Sequence, residues 1–102
     1  MAPTAVRIVK KEDYDGLLVK KYDTSSLQGF HLVGERCDPD TIWWINKHFP
    51  NVIINDTWWQ TETGWPISCN YLNLDDFKTV FPTLPGSVTR PAPGYDVRIV
   101  DD

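Results

Sequence analysis

"GFHLVGERCDPDTIWWINKHFPNVIIN", residues 29–55, reads as strand, helix, strand. GFHLVGE is a short apolar run ending at a glycine, the texture of a buried strand. Helix signals follow at once. Asp38 is placed to cap, Pro39 suits the first helical position, and Asp40 sits at the positive N-terminal end. Lys47 and His48 fall in the last turn, where cations are favoured, and Pro50 stops the helix. Ile42, Ile45 and Phe49 share one face at helical spacing, with one of Trp43 and Trp44 expected to face the sheet. NVIIN then forms a second strand, apolar through its middle and so expected to be covered on both sides.

A helix between two strands at this spacing makes a βαβ unit with parallel strands. Both strands end on the same edge, outside which ligands bind in open α/β sheets. GER (34–36) follows the first strand and DTWWQTETG (56–64) the second, so two loops distant in sequence are expected to meet at one crevice. Thr57, Gln60, Thr61 and Thr63 bring hydroxyls and an amide there, with Glu62 among them. Hydroxyls hold phosphate oxygens, a carboxylate holds the Mg²⁺ that accompanies them, and Trp58 and Trp59 offer flat faces to a purine or a small acyl group. The same residues also read as a polar loop capped by core tryptophans.

Outward from this unit the signals weaken. Upstream, Thr4 is a candidate cap, and Val6, Val9, Leu17 and Leu18 suggest a helix interrupted near Asp15–Gly16. TSSLQG reads as a turn. Glu12, Asp13 and Asp15 are expected as surface charges, and His31 as a packed, hydrogen-bonded strand residue. Downstream of Trp65, prolines and glycines surround a short alternation of Tyr95, Val97 and Ile99 with Asp96 and Arg98, which suggests loops and antiparallel strands. The expected fold class is α/β: a parallel βαβ unit within residues 1–65, then a β-rich segment over 66–102. The chain stops at RIVDD, where a strand would turn and pair, which reads as the end of a fragment.

Composition narrows the function. The 102 residues carry ten basic and fourteen acidic side chains, a net charge of -4, with no block of like charge. That balance disfavours nucleic acid or an anionic membrane as partner. No apolar run is long enough to span a bilayer, and MAPTAVRIVKK has no signal-peptide core. Cys37 and Cys69 match no metal spacing and read as reduced thiols in a reducing compartment.

DTWWQTETG resembles the signature loop of the AMP-forming short-chain acyl-CoA synthetases, the branch of the adenylate-forming superfamily that holds acetyl-CoA and propionyl-CoA synthetases. APTAVR is similar to the helix before the adenine loop, LVGER to the adenine loop, and PGSVTRPAPGYDVRIVDD to the segment entering the β-rich subdomain. The resemblance covers nearly the whole chain and implies an internal piece of the large N-terminal domain. It also implies a ligase reaction: carboxylate and ATP give acyl-adenylate and pyrophosphate, then coenzyme A takes the acyl group and AMP leaves.

Residue roles follow from the same resemblance. Gly34, Glu35 and Arg36 would border the adenine, Asp56 would bind its amino group, and Thr57, Trp58 and Gln60 would lie alongside the nucleotide. Thr61 would hydrogen-bond the α-phosphate and Glu62 would bind Mg²⁺, as the catalytic pair. Trp59 and Val33 would wall the acyl pocket, leaving room for two or three carbons. Arg36 stands where many acetate enzymes have proline, as in relatives that look more like propionyl-CoA synthetases. The implied partners are ATP, coenzyme A, a short-chain carboxylate (acetate or propionate) and the rest of the parent enzyme, in the cytoplasm or mitochondrial matrix. The family's lysine-ended phosphate loop, ribose aspartate and C-terminal domain are not in this sequence, so the chain alone is expected to be inactive, and as an isolated piece to self-associate. The alternative is a naturally short, non-catalytic module that binds a nucleotide or a partner.

Overall fold

The computed structural model describes residues 1–70 and 82–101. The part of the proline-rich downstream reading that falls on residues 71–81 lies outside the described residues. The elements run α1 (Pro3–Glu12), a 3-10 turn (Val19–Lys21), β1 (Gly29–Val33), α2 (Pro39–His48), β2 (Ile53–Thr57), β3 (Ser68–Cys69) and β4 (Arg90–Pro91).

β1 and β2 pair in parallel, from Gly29 against Ile53 to Val33 against Thr57, with α2 as the crossover. α2 begins as its sequence dictates. Asp38 is the N-cap, its carboxylate accepting from the Thr41 N–H at 2.9 Å, and Pro39 stands in the first turn. The helix buries Ile42, Trp44 and Ile45 against Leu32 and Ile54 of the sheet, and Val6 of α1 completes the cluster. Each such side chain contributes about 1.5–3 kcal/mol when fully buried. Phe49 packs edge-on to Phe30 with ring centroids 5.1 Å apart. Of the tryptophan pair, Trp44 faces the sheet and donates to the Tyr14 carbonyl at 2.9 Å, while Trp43 is exposed.

Several expectations need correction. Ala2 is the N-cap of α1, with Pro3 in the first turn and no side-chain cap, so Thr4 is inside the helix. Asp13 is buried, not a surface charge: its carboxylate accepts from the N–H groups of Leu18 and Val19, both at 2.9 Å. These bonds outweigh the burial that opposes its charge and hold its pKa below the ordinary value. Among the described residues, β2 is fully covered on one face only. Ile54 and Asp56 point to the helix side and are buried, whereas Ile53 on the other face is 42% exposed. An apolar run identifies a strand but not which faces are packed. His31 shares that open face and is exposed, so it is not a packed residue.

β3 and β4 form a separate antiparallel pair, Ser68 with Pro91 and Cys69 with Arg90. No strand forms over 95–101, and Ile99 is fully exposed. The Tyr95–Ile99 alternation has no partner among the described residues, and a strand without a ladder is not stable. The molecule is thus mixed α/β, a parallel βαβ unit joined to a short antiparallel ribbon.

Candidate functional site

The parallel register sets β1 and β2 to end side by side, Val33 next to Thr57. Gly34 turns the chain out of β1 at φ +101, a left-handed conformation that costs glycine nothing. β2 runs two residues beyond NVIIN, so Asp56 and Thr57 belong to the strand. Trp58 then pairs with Ser68, its N–H donating to the Ser68 carbonyl at 2.9 Å while Ile67 N–H donates back at 2.8 Å. The intervening loop is pinned at both ends. Inside it the Thr63 hydroxyl lies 2.8 Å from the Gln60 carbonyl and 2.9 Å from that of Trp65. Thr63 therefore serves the loop itself.

Alternation along the strands sends neighbouring side chains to opposite faces, and each face has its own cavity. On the helix side, a cavity of about 720 Å³ is lined by Gly34, Glu35, Arg36, Asp56, Trp58 and Gln60, with Gly86, Ser87 and Val88 closing the third side. On the open side, a cavity of about 600 Å³ includes Val33, His31, Asn55, Trp65 and Asn70. Thr57 and Trp59 line both. Thr61 and Glu62 line neither; they sit exposed on the turn beyond Gln60.

Asp56 is the unusual group. It is 3% exposed, and neither carboxylate oxygen has a hydrogen-bond partner among the described residues. Burial raises its pKa; the Cys37 and Thr57 N–H groups and the Arg36 charge pull the other way without satisfying it. A buried, unpaired carboxylate costs several kcal/mol, on the order of what a donor arriving from the cavity would recover. Next to it the Cys37 thiol is pushed up to about 12 by burial and by the charges of Asp56 and Asp38, which leaves it inert.

Glu35 lines the cavity, but its carboxylate is engaged elsewhere. It accepts from the Thr4 N–H at 2.8 Å and pairs with Arg7, neither of which lines the cavity. Arg36 reaches the other way, its Nε donating to the Gly86 carbonyl at 3.3 Å across the cavity rim.

Reading the sequence did not single out Gly86–Val88 or Trp65 as site residues. The Pro85-Gly86 turn is visible in the sequence, but its approach to the sheet edge depends on Ser68, whose Oγ lies 3.0 Å from the Val88 carbonyl and 2.8 Å from that of Arg90. His31 and Asn55 were findable, since a period of two puts them on one face with Val33 and Thr57. Glu62 is a single hard oxygen donor near hydroxyls, which suits Mg²⁺ carried on a nucleotide's phosphates; no acidic cluster able to hold a metal without a nucleotide occurs among the described residues.

A family model described as AMP-binding enzyme matches residues 1–102. The mitochondrial acyl-CoA synthetase short-chain family member 3 of Bos taurus is 41% identical over 101 residues, covering 99% of this chain and 14% of the relative. Acetyl-coenzyme A synthetase of Methanothrix soehngenii is 42% identical over 103 residues, again 99% and 14%. That of Bacillus subtilis is 41% identical over 101 residues, 99% and 16%. The chain thus spans about one-seventh of the length of these relatives.

Proposed function

This chain belongs to the AMP-binding enzyme family, and from that membership we propose that it supplies the adenine side and one acyl wall of a ligase that activates acetate or propionate. The observation that carries the reading is Asp56, a buried carboxylate with no hydrogen-bond partner among the described residues, lining a cavity beside an indole. An adenine amino group is the donor it lacks, and Trp58 offers the ring a face. Backbone groups of Gly34–Arg36 would border the base, with Thr57 and Gln60 alongside. On the opposite face Val33 and Trp59 would enclose the acyl chain. Residues 1–65 would be the α/β part of the adenylate-forming domain, and 66–102 the connection into a β-rich subdomain.

The chemistry takes place in two steps. A carboxylate oxygen attacks the α-phosphorus of ATP, the bond to the β-phosphate oxygen breaks, and pyrophosphate leaves. The coenzyme A thiol, losing its proton, then attacks the acyl carbon, and AMP departs. Thr61 would donate to the α-phosphate, where charge builds in the first step. Glu62 would hold the Mg²⁺ of the nucleotide, which neutralises phosphate charge when bound. Because Trp59 borders both cavities, it would set the acyl group against the nucleotide. The cytoplasm or the mitochondrial matrix would supply these substrates.

The test is ATP–pyrophosphate exchange by the native gene product with acetate, propionate and octanoate. Exchange with the two short acids and none with octanoate is expected. Exchange with no carboxylate at all would sink the reading.

A further inference from the structure

We propose that Arg7 is a positioning residue for the nucleotide: its guanidinium, outside the cavity, holds the 34–38 loop so that backbone faces the purine. The proposal rests on the reading that this cavity takes the adenine of ATP. Arg7 is on α1, about thirty residues from the loop in sequence, and it lines neither cavity. Its two terminal nitrogens take different carboxylates: Nη2 pairs with Glu35, and Nη1 donates to Asp38 at 3.1 Å.

Those carboxylates stand near the two ends of the loop, and each also accepts from a helix N-terminus. Glu35 takes the Thr4 N–H of α1 at 2.8 Å, and Asp38 takes the Thr41 N–H of α2 at 2.9 Å. The loop is therefore strung between two helix ends with one planar fork across both anchors. A guanidinium can span two acceptors in fixed geometry, whereas an ammonium is a point charge. With the Glu35 carboxylate tied to Thr4 and Arg7, its negative charge stays away from the phosphates, and the Gly34–Arg36 backbone is ordered before ligand arrives.

Lys10 provides an internal comparison. It docks the same two helices through Asp40 at 2.6 Å and Thr41 at 3.1 Å, approaches Asp38 only at 3.9 Å, and has no contact with Glu35. Loss of Lys10 weakens helix docking alone; loss of Arg7 also frees the loop.

The experiment is ATP–pyrophosphate exchange by the native gene product, varying ATP and carboxylate separately, with a thermal melt of each variant. Arg7→Ala is expected to raise KM for ATP roughly 5–30-fold with KM for the carboxylate unchanged. Lys10→Ala should lower Tm without moving KM for ATP. Arg7→Lys should fall between wild type and Arg7→Ala. If Arg7→Ala does not fold, Arg7→Lys and Glu35→Gln carry the test, since glutamine still accepts from Thr4; both should raise KM for ATP selectively. An unchanged KM for ATP in these variants overturns the proposal, as does a rise matched by the carboxylate KM or by Lys10→Ala. No exchange by the wild type overturns the functional reading itself, and the proposal with it.

Discussion

Asp56 stands on the helix-covered side of β2, one alternation beyond Ile54, and its burial follows from that position. With its pKa raised by burial, the folded state keeps the proton to higher pH than the unfolded chain does. Stability from this group therefore falls as pH rises from the ordinary carboxylate value, about 3.9, through the higher folded value. Asp56→Asn should raise Tm, by a margin that widens over that interval and then levels off. It should also weaken ATP binding by about tenfold or more, the scale of a lost hydrogen bond to a charged group. Melts over pH 4–8, paired with tryptophan-fluorescence titration of ATP, check both halves. At Trp59 the expectation concerns substrate length. Trp59→Gly should shift kcat/KM from propionate toward four- and five-carbon acids, each methylene being worth roughly 1–3 kcal/mol in such a pocket. An unchanged profile would remove Trp59 from the acyl wall.

At the scale of elements, α2 is the piece whose sequence and structure agree most closely, because cap, first turn, apolar face and stop are all local. Its cap also makes a pH prediction. Asp38 is opposed by partial burial, but the Thr41 and Arg7 hydrogen bonds outweigh this and lower its pKa. Stability from Asp38 is fully present above the ordinary carboxylate range and is lost as pH falls through the lower folded value. Asp38→Ala should cost about 0.5–2 kcal/mol in urea denaturation at neutral pH and make the remaining acid sensitivity shallower. The strands were less legible. β2 is apolar in sequence as a strand covered on both faces would be, yet Ile53 faces the open cavity with His31 and Asn55.

For the whole molecule, the two cavities share an edge and little positive charge. Among the described residues, Arg36 is the only lysine or arginine lining either one. A triphosphate needs more neutralisation than one guanidinium, and positioning and charge losses compound. The 102-residue chain by itself should therefore form no measurable acyl-adenylate, and acetyl-hydroxamate trapping that detects turnover would refute this. The open sheet face and exposed Trp43, Trp59 and Trp65 also form apolar surface of the kind that associates. Sedimentation of the isolated chain should show mass rising with concentration.

What the sequence determined by itself was local: the strand–helix–strand unit, the Asp38–Pro39 helix start, and the loops after each strand. Parallel pairing then places both loops on one edge, so the crevice too was legible. Tertiary structure decided what depends on contacts distant in the chain. It tied the Glu35 carboxylate to Thr4 and Arg7, left Asp56 buried without a hydrogen-bond partner among the described residues, brought Gly86–Val88 to the rim, and divided one tryptophan-rich loop between two faces. Helix caps and strand periods act over a few residues and can be read there; where a side chain finds its partner thirty or fifty residues away depends on the packing of α1, α2 and the sheet.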